Sequence, residues 1–216
     1  MIVLRFQEEF SKMLRVIAGD ARRVQLAVPE GIEVRPTLDK IKGAIFSTLG
    51  DLTGAKVLDL CSGSGSLGLE ALSRGADEVI MIEQVPKFAS FIKSNLEKVS
   101  HAIDSSKKSD RGSYKAQVLV GDAVEVPRLL STRVGEFDVI LADPPYVPKS
   151  GQKGPLDILS SSSIASFVST EAILMIESGP EIFTELDLDQ IPWQLIRKKA
   201  YGANTTISFW NLKEDA

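Results

Sequence analysis

Asp143-Pro144-Pro145-Tyr146 is the most specific chemical signal in the chain, reached at the end of the apolar run Phe137–Ala142. An amino group on an aromatic ring is a poor nucleophile because its lone pair is conjugated with the ring. Two acceptors for its hydrogens would favour a tetrahedral nitrogen with a freer lone pair. The Asp143 carboxylate can be one acceptor and the Pro144 carbonyl the other, and Pro144 and Pro145 fix the backbone so that the pair is preorganised. Tyr146 offers a face on which a base could stack once that base has left its helix. The turn therefore suits alkylation of an exocyclic amine, a reaction that needs in-line approach to an electrophile and no strong base. The competing reading is a proline-rich turn without catalytic meaning. Its place after a fourth strand, downstream of a glycine motif, counts against that.

The glycine motif is Asp59-Leu60-Cys61-Ser62-Gly63-Ser64-Gly65-Ser66-Leu67-Gly68, between a strand pattern and a helix pattern. Glycines at 63, 65 and 68 let a backbone turn sharply and approach a ligand. Such a motif can cradle a pyrophosphate at a helix N-terminus. Asp59, on the strand before it, would repel a pyrophosphate and would suit the positively charged amino-acid end of S-adenosylmethionine. Glu83 ends the second strand, where a carboxylate can accept both ribose hydroxyls, with Gln84 beside it. Asp122 ends the third strand and could bond an adenine amino group, with Ala123 nearby. Each residue also has a plain reading: turn glycines, a surface Glu83, Asp122 as a helix N-cap. Their recurrence at successive strand ends favours the cofactor reading.

The elements that must position these residues alternate. Short apolar runs at Lys56–Leu60, Glu78–Ile82, Ala116–Val120, Phe137–Ala142 and Ala172–Glu177 read as strands, and 67–73, 86–99 and 124–130 as helices between them. That order implies a parallel sheet with helices on both faces and a ligand site at the strands' carboxyl ends. Trp193–Lys198 and Thr205–Leu212 suggest a terminal antiparallel pair. Upstream, residues 14–28 read as a β-hairpin around Gly19-Asp20, Pro29–Gly31 as a break, and Pro36 as the first turn of a helix reaching about Leu49. The polar stretch 103–115 reads as an exposed loop and 148–163 as a mobile one.

With 216 residues, 44% hydrophobic and 25% charged, the chain fits one soluble domain with a small appendage. We expect an N-terminal extension over 1–35 and the main domain over 36–216. No apolar run reaches the length of a membrane span, residues 1–12 lack the pattern of a secretory signal, and the single cysteine, Cys61, forbids an intrachain disulfide. A cytoplasmic location, a monomer and no metal are expected. The net charge of −4 argues against coating nucleic acid by bulk charge. Between Lys12 and Lys42, however, seven basic residues outnumber four acidic ones, so that segment could contact phosphates or be a solvated face.

At this point the sequence resembles the class I S-adenosylmethionine-dependent methyltransferases that act on amines. More narrowly it resembles the RsmD family, which methylates guanine N2 in small-subunit (16S) ribosomal RNA, at nucleotide 966. The narrow pieces are Arg15-Val16-Ile17-Ala18-Gly19, Arg35-Pro36-Thr37 with Lys40 and Lys42, and Leu69–Ala76; the glycine motif and the 143–146 turn belong to the broader class. The resemblance implies a Rossmann-like α/β fold with a seven-stranded, mostly parallel sheet and an N-terminal β-hairpin. It implies that Gly63 and Gly65, with Asp59, Ser64 and Gly68, surround the methionine part of the donor. Glu83 and Gln84 would then hold the ribose, Asp122 and Ala123 the adenine, and Asp143, Pro144, Pro145 and Tyr146 the target amine. Arg15, Arg22, Arg35 and Lys42 would meet phosphates of ribosomal RNA or of a small-subunit particle.

The nearest alternative is an adenine-N6 methyltransferase on RNA or DNA, since the same turn serves that amine. Behind it stand a non-catalytic RNA-binding module, a protein glutamine methyltransferase, which more often has Asn at 143, and a nicotinamide dehydrogenase, disfavoured by Asp59. His101 reads as a surface residue, Cys61 as a small packed residue, and Trp193, Trp210, Phe88 and Phe91 as core. Lys149 and Lys153 could contact substrate or lie in a solvated loop.

Overall fold

Val57, Leu58 and Leu60 alternate to opposite faces of a strand, and both faces are buried, which calls for helices on each side. The structure, a computed structural model, describes residues 14–28, 39–106, 112–125, 129–130 and 136–214. The elements in chain order are α1 (Asp39–Leu49), β1 (Lys56–Leu60), α2 (Ser66–Ser73), β2 (Glu78–Glu83), α3 (Pro86–Asp104), β3 (Lys115–Val120), β4 (Phe137–Ala142), α4 (Pro155–Leu159), α5 (Ser162–Ala165), β5 (Val168–Ser178), α6 (Ile182–Glu185), β6 (Trp193–Tyr201) and β7 (Thr205–Leu212). They build one seven-stranded sheet in the order β3-β2-β1-β4-β5-β7-β6.

The first five strands in that order are parallel, and β7 pairs antiparallel with both β5 and β6. Strand order reverses between β1 and β4, so the crevice where α/β sheets bind ligands lies at the ends of these two strands. Asp59 pairs with Met81 on one side and Leu141 on the other, which puts the glycine loop and the 143–146 turn side by side. One apolar layer joins Val57, Leu69, Met81, Ile92 and Phe209 on one face; a second joins Leu58, Ile80, Ile140, Trp193 and Trp210 on the other. The class expected from the alternation of elements is thus found, with mixed strand direction at one edge.

Three local expectations are revised. Residues 14–28 form an antiparallel turn with a single bridge, Arg15 to Gln25, and no assigned strand. The segment keeps three backbone bonds across itself, from the Val16, Arg23 and Leu26 N–H groups to the Val24, Val16 and Leu14 carbonyls, and docks on α2 through the Ile17, Ala18, Asp20 and Ala21 N–H groups. Residues 148–163 are not wholly loop: Asp157 accepts from the Gly154 N–H at 2.8 Å and Ser161 from the Ile164 N–H at 3.2 Å, capping α4 and α5 while Ile158, Leu159 and Ile164 are buried. α3 runs on to Asp104, five residues beyond Val99, with Ile103 buried at its end. Within 124–130, Val124 and Glu125 belong to a 3₁₀ turn that starts at Ala123, Leu129 is helical, and 126–128 lie outside the described residues. Pro29–Gly31, Arg35 and Pro36 lie outside the described residues.

Candidate functional site

The sharp turn from β1 into α2 is made by left-handed residues: Cys61 (φ 57°), Gly63 (φ 56°) and Gly65 (φ 77°). Two buried carboxylates hold it. Asp59 accepts from the Gly68 N–H at 2.9 Å, at the first turn of α2. Glu83 Oε2 accepts from the Gly63 N–H and Oε1 from the Val85 N–H, each at 2.8 Å, so the end of β2 carries the loop. Burial pushes Asp59 up to about 7, and burial likewise raises Glu83. Burial, with Glu83 and Asp59 alongside, raises the Cys61 thiol, which fits a packed residue rather than a nucleophile.

This loop and the 143–146 turn open on one cleft of about 810 Å³. Of the residues singled out from sequence, Asp59, Gly63, Ser64, Glu83, Gln84, Asp122, Ala123 and the whole of Asp143–Tyr146 line it. Gly65 and Gly68 do not. A Cβ on Gly65 would come within 2.8 Å of Ile92, and one on Gly68 within 2.7 Å of Met81 and 2.8 Å of Asp59. These two glycines let α2 lie close on α3 and the sheet, so they shape the loop without facing a ligand. Asp122 accepts from the Val124 N–H at 3.0 Å and still faces the cleft. Gln84 donates to the Gly151 carbonyl at 3.0 Å, tying the 148–154 loop over the end of β2. Lys153 lines the cleft, while Lys149 is exposed outside its lining.

In the acceptor turn, Pro144 is buried and Tyr146 half-buried. The Tyr146 hydroxyl donates to Glu177 Oε1 at 2.6 Å and lies 3.0 Å from Thr205 Oγ1. Burial and the adjacent Glu177 carboxylate push the phenol above its ordinary value, so it stays protonated. Sequence reasoning missed Glu177, although a carboxylate closing the fifth strand was a readable signal. It also missed Phe88, expected in the core but lining the cleft, and Leu14 and Val28, which bring the N-terminal segment to its wall.

Asn95 was missed too. It is fully buried in α3, accepts from the Ala27 N–H at 2.8 Å, and donates to the Ala27 carbonyl at 2.8 Å and the Ser64 carbonyl at 3.2 Å. Its amide joins the N-terminal segment to the glycine loop. The signal was an amide at helical spacing within the apolar row Ile92 and Val99.

The expected phosphate contacts divide. Lys42 is completely buried, 3.4 Å from Glu70 and bonded to Ser66 and to the Arg15 carbonyl, so it has no surface to offer a phosphate. Desolvation lowers its pKa, against the opposing pull of Glu70. Glu70 also receives the Ile17 and Ala18 N–H groups and Arg74, while Ser73 bonds Ala18 and Ala21. The segments Arg15–Gly19 and Leu69–Ala76 are therefore two halves of one docking joint. Arg15 is exposed and paired with Asp39 at 2.6 Å; Arg22 is exposed; Arg35 lies outside the described residues. His101 is exposed in the last turn of α3. Trp193 and Trp210 are buried.

The cleft is acidic. Asp59, Glu83, Asp122, Asp143, Glu177 and Glu181 line it, and Lys153 is the one cation among its described lining residues. A dinucleotide pyrophosphate would meet repulsion there, whereas a sulfonium and an ammonium would be attracted. The carboxylates at the ends of β2 and β3 suit ribose and adenine, and the volume accommodates an adenosyl compound beside a base. The residues present thus fit S-adenosylmethionine.

The comparisons agree with this geometry. The “Putative rRNA methyltransferase YlbH” of Bacillus subtilis is 37% identical over 134 residues, 62% of this chain and 67% of that protein. “Ribosomal RNA small subunit methyltransferase D” of Escherichia coli K12 is 27% identical over 194 residues, 89% and 87% of the two chains. Among solved structures, “Putative methyltransferase yhhF” of Escherichia coli superposes with a TM-score of 0.70 at 26% identity, covering 93% of this chain and 98% of that one. The family described as “Conserved hypothetical protein 95” matches residues 14–210. The chain belongs to that family, and so to the RsmD-like methyltransferases.

Proposed function

We propose that the protein methylates the exocyclic N2 amine of a guanine in small-subunit ribosomal RNA, using S-adenosylmethionine. The observation that carries this reading is the shared cleft: Asp143–Tyr146 and the Asp59–Ser64 loop line the same cavity from the adjacent strands β4 and β1. Relatives named as ribosomal RNA methyltransferases support the choice of substrate.

S-adenosylmethionine, when bound, supplies an electrophilic methyl on a sulfonium. Asp59, Ser64 and the Gly63 backbone would hold its amino-acid end, Glu83 and Gln84 the ribose, and Asp122 with Ala123 the adenine. Asp143 and the Pro144 carbonyl accept the two hydrogens of the target amine and direct its lone pair into the cleft. Tyr146 stacks on the flipped base, with Glu177 and Thr205 fixing its hydroxyl. Asp143 needs no raised basicity, since the nitrogen gives up its proton readily once alkylated.

The test is methyl transfer from labelled donor to small-subunit RNA and to partly assembled particles from cells lacking the protein, followed by nucleoside analysis. N2-methylguanosine is the expected product. N6-methyladenosine would replace the guanine assignment, and label on neither RNA would refute the substrate class.

A further inference from the structure

The edge strand β6 carries Arg197, Lys198 and Lys199, all exposed, on a protein whose net charge is −4. A break in register between Leu195 and Arg197 resets the alternation just before them. Arg197 then pairs with Phe209 and Lys199 with Ile207, on the sheet face that α1 covers. Lys198 points to the opposite face, where its ammonium sits 4.2 Å over the Phe183 ring.

Between β6 and α1 lies a second cavity, of about 230 Å³, with Ser47, Thr48, Arg197 and Lys199 along its sides and Ile207 and Phe209 beneath. Lys40 is exposed one turn before Ala44, on the helix row that leads to Ser47 and Thr48. Among the described residues neither Arg197 nor Lys199 has a carboxylate partner in an ion pair. Two cations and two hydroxyls around one groove form a donor set for a phosphate diester.

The groove is in line with the acceptor turn. Tyr201, at the end of β6, pairs with Thr205, whose hydroxyl is 3.0 Å from Tyr146. Lys199 and Arg197 stand two and four residues back along the strand, about 7 and 14 Å from that level.

We infer that Arg197 and Lys199, with Ser47 and Thr48, form a phosphate-binding groove that holds the RNA backbone flanking the methylated nucleotide. This inference rests on RNA being the substrate. It places the cations that guide the substrate on the edge of the sheet, in addition to the N-terminal segment that the sequence pointed to. The competing role for basic residues on an edge strand is to prevent pairing with a second sheet.

The test compares the wild type, Arg197→Gln/Lys199→Gln and Lys198→Gln by fluorescence anisotropy on a labelled single-stranded RNA from the small subunit, titrated from about 50 to about 200 mM salt. The double variant should bind at least about tenfold more weakly at low salt. Its slope of log affinity against log salt should be shallower by about 1.4, two phosphates at ~0.7 each. Its KM for RNA should rise while kcat at saturating RNA and donor affinity hold, and Lys198→Gln should match the wild type. Wild-type affinity and slope in the double variant, on an RNA that the wild type methylates, would overturn the groove alone. The same result with new self-association would assign these residues to edge protection. If the wild type neither binds nor methylates RNA, the groove and the functional reading fall together.

Discussion

The Tyr146 hydroxyl donates to Glu177 Oε1 at 2.6 Å and so pins the turn after β4 to the end of β5. The register explains the contact, since Ala142 pairs with Ile176 and the next residues on each strand enter the cleft together. Glu177→Ala should free the ring and lower turnover by about tenfold, one such step being worth about 1.4 kcal/mol of ordering. Donor affinity should stay within about twofold. Glu177→Gln, whose amide oxygen can still accept, should retain most activity. Steady-state kinetics beside calorimetry of donor binding separates these effects; equal losses in both variants would show that the charge matters and the hydrogen bond does not.

Asp59 has a pH signature. An unfolded aspartate ionises near 3.9, as a typical peptide value, while burial raises the folded group to about 7. The folded protein therefore keeps the proton longer. The contribution to stability is fully present below about pH 4, is lost as pH rises towards 7, and is constant above that. Asp59→Asn should gain stability relative to the wild type across that window, as followed by denaturant unfolding at several pH values. A cationic donor favours the ionised carboxylate, so wild-type donor affinity should rise between about pH 6 and 8 and the rise should vanish in Asp59→Asn. Calorimetry in buffers of different ionisation heat would register the released proton; no buffer dependence would contradict the assignment.

Glu70 anchors the N-terminal segment. It is fully buried and takes Lys42, Arg74 and two backbone N–H groups. Glu70→Ala strands the Lys42 ammonium in the interior and should cost about 3–5 kcal/mol. Limited proteolysis should then cut within residues 15–27 before any other site. Unchanged unfolding and unchanged cleavage would refute the docking joint.

Gly68→Ala would force a Cβ to within 2.7 Å of Met81 and 2.8 Å of Asp59 Oδ2. Overpacking of this kind costs about 1–3 kcal/mol. Because α2 must shift away from Asp59, donor binding should weaken together with stability. A variant that loses donor affinity at unchanged melting temperature would instead mean that Gly68 faces the ligand.

Strand positions were legible because two-sided burial leaves continuous apolar runs: Phe137–Ala142 and Lys56–Leu60 fall where the pattern put them. The cleft residues at β1, β2, β3 and β4 were legible for a related reason, as polar residues ending apolar runs. What stayed hidden depends on three dimensions. Lys42 looks like a surface cation until Glu70, twenty-eight residues on, is seen beside it. Asn95 is one amide in a helix and gains its role from Ala27 and Ser64, which are far from it in sequence. Gly65 and Gly68 read as ligand glycines because sequence shows that space is needed and not which neighbour needs it. The basic groove arises only when β6 takes the edge beside α1.

The proposed function requires that Asp143–Tyr146 receive the target amine in the same cleft that takes the methyl donor. The most direct measurement sets Asp143→Ala against the wild type, with donor binding by calorimetry and labelled methyl transfer to small-subunit ribosomal RNA measured on the same preparations. Transfer should fall by at least about a hundredfold, the scale of losing one preorganised electrostatic contact, with donor affinity nearly unchanged. Wild-type turnover in Asp143→Ala would contradict the proposed function.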